Sequence, residues 1–352
     1  MDTGRVAVST PTKPRPDGRG SADGRGSAGS AEFLRNSAAT LPLIGGPMYP
    51  CSNPELVAAI SATGAIGVVQ PLALTYVHGW KYREGLRHIR SLTDRPIGLN
   101  VLIEGKSKAY RSRMEEWITI SLEEGIRFFI TSLGNPRWVV DMVGPSGGVV
   151  YHDVTEAKWA EKGLAGGASG LIAVNRRAGG HAGGKSAEAL YKDLERFEVP
   201  VVGAGGVGNA AEFRAMLDLG YAAVQCGTRF IATTECTASP EYKAAIVAAG
   251  ESDIVLSERL TGVPVAVINT PYIQRMGTRA GPLARRLLRG RRTKHWMRTI
   301  YALRSLRSLK KSLADRSGRA EYWQAGRSVE EIDQIEPVAT IVDRFRSALP
   351  VG

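Results

Sequence analysis

From Leu41 to Cys226 the chain repeats one pattern: a short apolar run, then an amphipathic stretch, then another apolar run. The runs fall at 41–46 (LPLIGG), 65–69, 97–103, 127–131, 148–152, 169–174, 199–203 and 222–226. Each is short enough for a strand and too short for a buried helix. Between them, 53–63, 79–92, 107–123, 135–143, 156–166, 186–197 and 209–219 carry helical periodicity. At the first of these, Ser52 or Asn53 can accept from the amides of the opening turn, and Pro54 suits the first helical position. Strands joined by helices must run parallel. Open doubly wound sheets stop at about five or six strands, so eight repeats over roughly 210 residues predict an α/β fold closed into a (β/α)8 TIM barrel.

The barrel is expected to occupy 39–275, flanked by segments of different composition. Residues 1–38 are rich in Gly, Ser, Pro and Arg and contain Asp-Gly-Arg-Gly-Ser-Ala twice in tandem, at 17–22 and 23–28. Such a stretch buries too little to offset its ordering entropy, which predicts a disordered N-terminal tail. The net charge of +12 invites a nucleic-acid reading. Its location argues otherwise, because 275–319 holds 15 Lys/Arg against the single acid Asp315 and leaves the rest of the chain near neutral. Within 276–322, Trp296, Ile300, Leu303, Leu306, Leu309 and Leu313 recur at three- and four-residue steps, the pattern of a basic amphipathic helix. That helix is expected to pack on the barrel with a solvated outer face. Contact with a membrane surface through 285–311, or a homo-oligomer interface, remains an alternative. Residues 323–352 read as a closing helix packed on the barrel.

No apolar run is long enough to cross a bilayer, and no apolar stretch of a secretory signal opens the sequence, so a cytoplasmic location is expected. Cys51, Cys226 and Cys236 are odd in number and lack CxxC spacing, which indicates neither a disulfide framework nor a metal site.

Two turns carry the strongest chemical signal. In Val201-Val202-Gly203-Ala204-Gly205-Gly206 a buried strand runs into glycines, and a helix opens from Asn209. In Val224-Gln225-Cys226-Gly227-Thr228 the next strand ends in a glycine followed by a hydroxyl. Backbone amides at glycine turns and helix N-termini hold anions, and in (β/α)8 barrels the loops after strands seven and eight commonly hold ligand phosphates. After strand six, Arg177-Ala178-Gly179-Gly180-His181-Ala182-Gly183-Gly184 sets one histidine among four glycines, so the backbone can wrap a flat ligand closely while the imidazole serves proton transfer. His152 also ends a strand and is a candidate contact to the ligand, on the substrate side. Gly46-Pro47-Met48 closes strand one with a stiff turn, and Asn100 is a polar amide inside the apolar strand three, where it needs a partner in the core or in a ligand.

Taken in order, Gly-Pro-Met (46–48), Leu-Asn-Val (99–101), Ala-Gly-Gly-His (178–181), Val-Pro-Val-Val-Gly-Ala-Gly-Gly (199–206) and Val-Gln-Cys-Gly-Thr-Arg-Phe (224–230) resemble the nitronate monooxygenase family, formerly called 2-nitropropane dioxygenases. The resemblance resumes at Trp323-Gln324-Ala325-Gly326 and runs through Pro337. It implies FMN as cofactor, with Pro47 and Met48 against the ring, Asn100 on its polar edge, Gly180 nearby and the phosphate at Gly203, Gly205, Gly206, Gly227 and Thr228. It also implies His181 as the base that takes the proton α to a nitro group, with a small nitro compound and O2 as reactants.

Two positions depart from that family's pattern. Many members carry Gln-Gly-x-Glu before Ala-Gly-Gly-His, where this chain has Val174-Asn175-Arg176-Arg177. Arg176 and Arg177 would make the substrate pocket cationic and favour an anionic substrate. Asp153 stands where some members carry lysine. The closest rival is an NAD(P)H-dependent FMN enoyl-thioester reductase, which shares the glycine-flanked histidine; a rival of another class is a basic-helix binding module on a silent barrel. An inosine-monophosphate-dehydrogenase-like barrel is disfavoured because no cysteine lies in a glycine-rich loop suited to a covalent nucleophile.

Overall fold

The computed structural model describes residues 22–103, 107–260, 263–279 and 322–350. Eight parallel strands, β1 (Leu43–Gly45), β2 (Ile66–Val69), β3 (Ile97–Ile103), β4 (Phe128–Leu133), β5 (Val149–Val154), β6 (Gly170–Val174), β7 (Val201–Ala204) and β8 (Ala223–Cys226), form a closed barrel in sequence order. Pairing of Leu43 with Val224 and of Gly45 with Cys226 closes it. Each strand lies inside or within two residues of an expected run, because a strand buried on both faces must be apolar along its length.

Alternation along the strands sorts side chains between two cores. Ile44, Ile66, Val68, Phe128, Ile130, Tyr151, Ile172 and Val202 fill the barrel. Leu99, Val101, Phe129 and Val150 face outward into the helix layer beyond β3 to β5, and Leu171, Val201 and Val224 do so beyond β6 to β8.

The expected tail over 1–38 does not extend to its predicted end, since Ala22–Ser37 is a helix, α1. It closes the N-terminal end of the barrel. Phe33 is fully buried, with edge-on ring contacts to Phe128 and Tyr151 at 6.0 and 5.9 Å. Ser30 Oγ donates to Ala222 O (2.8 Å) and Asn36 Nδ2 to the Tyr151 hydroxyl (3.2 Å). A polar, glycine-rich helix of this kind has little stability alone and forms because its few apolar groups seal an open barrel end.

At the other end, the hairpin β9 (Ile254–Ser257) and β10 (Val265–Ile268) crosses the loop after β6, where Ala266 N donates to Gly180 O (2.7 Å). Gln324 bridges Val267, and the helix Val338–Ser347 buries Val338, Ile341, Val342 and Phe345, the last stacked on Phe213 at 4.9 Å. Residues 280–321 lie outside the described ones, and with them the expected basic helix and its surface contacts. Among the described residues no helix is long and apolar enough to cross a membrane, and no group of three or more His, Cys, Asp or Glu side chains could hold a metal ion.

Candidate active site

Past Ala204 the backbone turns through Gly205 (φ +108°) and Gly206 (φ +86°), conformations that side chains strain against. A Cβ on Gly205 would lie 2.6 Å from Ala178 N and 2.7 Å from Asn175 Oδ1, so the β6 and β7 loops touch backbone to backbone. Asn175, buried at the end of β6, clamps them: its Nδ2 donates to Gly205 O (2.8 Å) and its Oδ1 accepts from Arg177 N (2.8 Å). Beyond this turn the helix α8 (Ala210–Asp218) opens with Asn209 Oδ1 accepting from Glu212 N at 2.9 Å.

The neighbouring loops complete the rim. Gly227 faces Met48, whose Sδ would lie 3.6 Å from a Cβ there, and Met48 N is fixed by Ser52 Oγ at 2.8 Å. Thr228 Oγ1 accepts from Gly326 N (2.9 Å), which ties the C-terminal segment over the site and keeps the hydroxyl proton for another acceptor. Gly180 (φ +67°) bends the loop toward the hairpin, and His181 follows it, exposed, as is Arg176.

Four expectations need correction. Gly203 does not face the ligand side: a Cβ there would meet Met216 and Tyr221 in the outer layer, so this glycine lets α8 approach the strand. His152 also points outward, onto Gly163 of the helix Ala157–Ala165, and its Nδ1 is hydrogen-bonded to Thr131 Oγ1 at 2.8 Å. Burial holds its pKa down at about 4 and the ring is neutral. Arg177 is no open cation. Its guanidinium pairs with Glu212 (3.2 Å) and Glu251 (3.3 Å), and its stem lies over Gly206. Finally, neither Ser52 nor Asn53 caps the first barrel helix, Pro54–Ala62; Asn53 instead bridges to Glu235 O and Thr237 N, linking the β1 and β8 loops.

Inside the mouth sits a ring of polar side chains that the motifs only partly revealed. Asn100, Asp153 and Gln225 are the next inward positions above Gly98, Tyr151 and Ala223. Among the described residues six buried side-chain N or O atoms have no hydrogen-bond partner, and three of them are Asn100 Oδ1, Asp153 Oδ1 and Gln225 Oε1. Burial alone raises the Asp153 carboxyl to about 7, with no neighbouring cation offsetting it. The sequence marks Asp153 only as a departure from the family pattern and does not set Gln225 apart; a polar residue at an inward position of an apolar strand is the signal both share with Asn100. All three cysteines are buried and free, with Cys236 Sγ 3.6 Å from Cys51 O.

A closed parallel barrel whose C-terminal mouth carries a glycine rim, a polar ring and a histidine loop is the architecture of an α/β-barrel enzyme. The sequence matches the nitronate monooxygenase family over residues 32–346, and the chain belongs to that family. It is 28% identical over 273 residues to a nitronate monooxygenase of Pseudomonas aeruginosa, covering 65% of this chain and 77% of the relative. It is also 28% identical over 233 residues to a 5-hydroxy-7a-methyl-1-oxo-octahydro-indene-4-carboxyl-CoA dehydrogenase of Rhodococcus jostii, covering 66% of this chain but only 64% of that relative. Among solved structures, FabK from Thermotoga maritima superposes with a TM-score of 0.72 at 25% identity, covering 90% of this chain and 95% of the other. A nitroalkane oxidase from Streptomyces ansochromogenes shares the fold with a TM-score of 0.73 at 20% identity, over 90% of this chain and 97% of that one.

Proposed function

We propose that the chain binds FMN and oxidises nitronates and nitroalkanes with O2. The observation that carries this reading is the ring of partnerless oxygens on Asn100, Asp153 and Gln225 directly inside the glycine rim. Buried polar atoms are costly unless paired, and a flat heterocycle with N–H and C=O groups on its edge supplies the partners. The cradle fits the other end of the cofactor too. Gly205, Gly206, Gly227 and the Thr228 hydroxyl would hold the phosphate, near the opening of α8, while Pro47 and Met48 would lie beside the ring and Gly180 would keep the loop close to it.

When bound, FMN would supply the electron chemistry that couples oxidation of the substrate to O2. His181, on its glycine-flanked loop, takes the proton α to the nitro group, and the nitro group leaves as nitrite once the carbon is oxidised. Arg176, exposed on the same loop, draws an anionic substrate, a role that Arg177 loses to its pairing with Glu212 and Glu251. The test is anaerobic: a nitronate should bleach the bound flavin and NAD(P)H should not. His181→Ala should still be bleached by the nitronate but lose at least about 100-fold in reduction by the neutral nitroalkane, the usual scale of general base catalysis.

A second reading, an acyl-thioester oxidoreductase, is favoured by the Rhodococcus jostii relative, named for a carboxyl-CoA substrate. Bleaching by an acyl-CoA or by NAD(P)H, with none by nitronate, would select it.

A further inference from the structure

Asp153 is the ionisable member of the polar ring, and its surroundings restrict the form in which it can meet a ligand. On the strand register it lies beside Ile172 of β6, and one step past the Thr131–His152 pair on β4 comes Ser132; none of the facing inward residues is charged. His152, adjacent in sequence, points to the other side of the wall and is neutral. Tyr151, one layer below on the inward side, is bonded to Asn36, and burial raises its phenol, so it stays neutral. On the neighbouring loop, Arg177 is paired to two carboxylates, while Arg176 and His181 are exposed.

Hydrogen-bond arithmetic restricts it further. The ring offers three acceptor oxygens with no donor, on Asn100, Asp153 and Gln225. The pyrimidine edge of an isoalloxazine has a single N–H, at N3, and several acceptors at N1, O2, O4 and N5. One N–H leaves the other oxygens to other donors; the amides of Asn100 and Gln225 can turn their own N–H groups to the ring's acceptors, whereas Asp153 can meet an acceptor only when protonated, because an ionised carboxylate is acceptor-only.

We propose that Asp153 enters the flavin site as a neutral carboxylic acid and donates its O–H to an acceptor on the ring edge, so that FMN binding takes up or retains a proton at this residue. The inference rests on the FMN reading above. Burial alone already lifts this carboxyl into the neutral range, and a ring laid across the mouth removes it further from water, which strengthens the preference for the protonated form. Ionised Asp153 would set a negative charge against an electron-accepting ring and hold the flavin's reduction potential down.

The experiment is titration of the apoprotein with FMN, followed by quenching of flavin fluorescence between pH 5.5 and 9, in wild type and in the isosteric Asp153→Asn. Wild type should bind with constant Kd below about pH 7 and lose up to about tenfold in affinity per pH unit above it, the linkage of one proton. Asp153→Asn, which cannot ionise, should bind with a flat profile through the same range, and any slope common to both proteins belongs to the FMN phosphate. The midpoint potential of bound flavin, measured spectroscopically, should match in wild type and Asp153→Asn wherever affinity still falls with pH, and lie lower in wild type only above the pH at which that fall levels off. Identical profiles in two proteins that both bind FMN would overturn the role of Asp153 and leave the flavin site standing. Failure of both to bind FMN at any pH would overturn both readings.

Discussion

The two sides of the barrel wall treat buried polar groups in opposite ways. On the outward side, Thr131 Oγ1 meets His152 Nδ1 at 2.8 Å under the helix layer, and within that layer the Tyr82 hydroxyl meets Ser121 Oγ at 2.6 Å between two helices, both closed pairs. On the inward side at the C-terminal mouth, Asn100, Asp153 and Gln225 each leave an oxygen without a partner. His152 and Asp153 are consecutive residues on β5 and fall on different sides of this division. Polar groups buried for the fold are paired within it, because an unpaired one costs about 1–3 kcal/mol. Of the six left open among the described residues, three gather beneath the glycine rim, where a ligand can give them a partner.

The sharpest way to break the comparison is a pair of glycine substitutions two residues apart. Gly205→Ala puts a methyl 2.6 Å from the Ala178 backbone at φ +108°, which must push the β6 and β7 loops apart. We expect FMN affinity to fall by about 100-fold or more, since misplacement of a preorganised cradle costs several kcal/mol. Gly203→Ala meets the flexible end of Met216 outside the wall. It should cost about 1–3 kcal/mol of stability as an overpacked core and leave FMN affinity within about twofold. Denaturant melts and fluorescence titrations of both variants decide the matter, and equal losses of affinity would mean that the division between the sides does not hold.

The next effect is a pH dependence confined to the outward side. The folded state depresses the His152 pKa from 6.5 to about 4, so the fold favours neutral imidazole. The stability this contributes is fully present above about pH 6.5 and is lost as pH falls through 4, a change of about 2–3 kcal/mol. His152→Phe should flatten the decline in melting temperature between pH 6.5 and 4 without altering FMN affinity. An acid limb of unchanged steepness would move the acid sensitivity elsewhere.

How far the sequence discloses this division depends on strand phase. All eight strands are legible because walls buried on both sides must be apolar, and Asn100 is legible as an amide that breaks such a run. Which of His152 and Asp153 faces inward is not, since a shift of one residue in register exchanges the two sides. Gly203 misleads for the same reason, being one residue out of phase with the turn it introduces. Arg177 reads as an open cation because Glu212 and Glu251, which neutralise it, come from α8 and from the approach to the hairpin, far along the chain. Helix α1 hides because its stabilising contacts are tertiary: Phe33 inserts between rings from β4 and β5, and the local sequence, with its glycines and serines, favours a coil.

Asn100 supplies the smallest effect and the one whose sign separates the two sides. A polar group that serves the fold destabilises it when removed; one that serves a ligand should do the reverse in the ligand's absence. Asn100→Leu replaces an amide carrying a partnerless Oδ1 by an apolar group of the same branching, in a strand whose neighbours are already apolar. The apoprotein should therefore become more stable by about 1 kcal/mol, the unsatisfied atom's desolvation being relieved. The same change removes an acceptor from the polar ring, and FMN affinity should fall by about tenfold, one hydrogen bond's worth. Urea melts of the apoprotein and an FMN titration read the two quantities independently. If instead the apoprotein loses stability, Asn100 belongs with Thr131 and Tyr82 as a structural pair member, and the polar ring shrinks to Asp153 and Gln225.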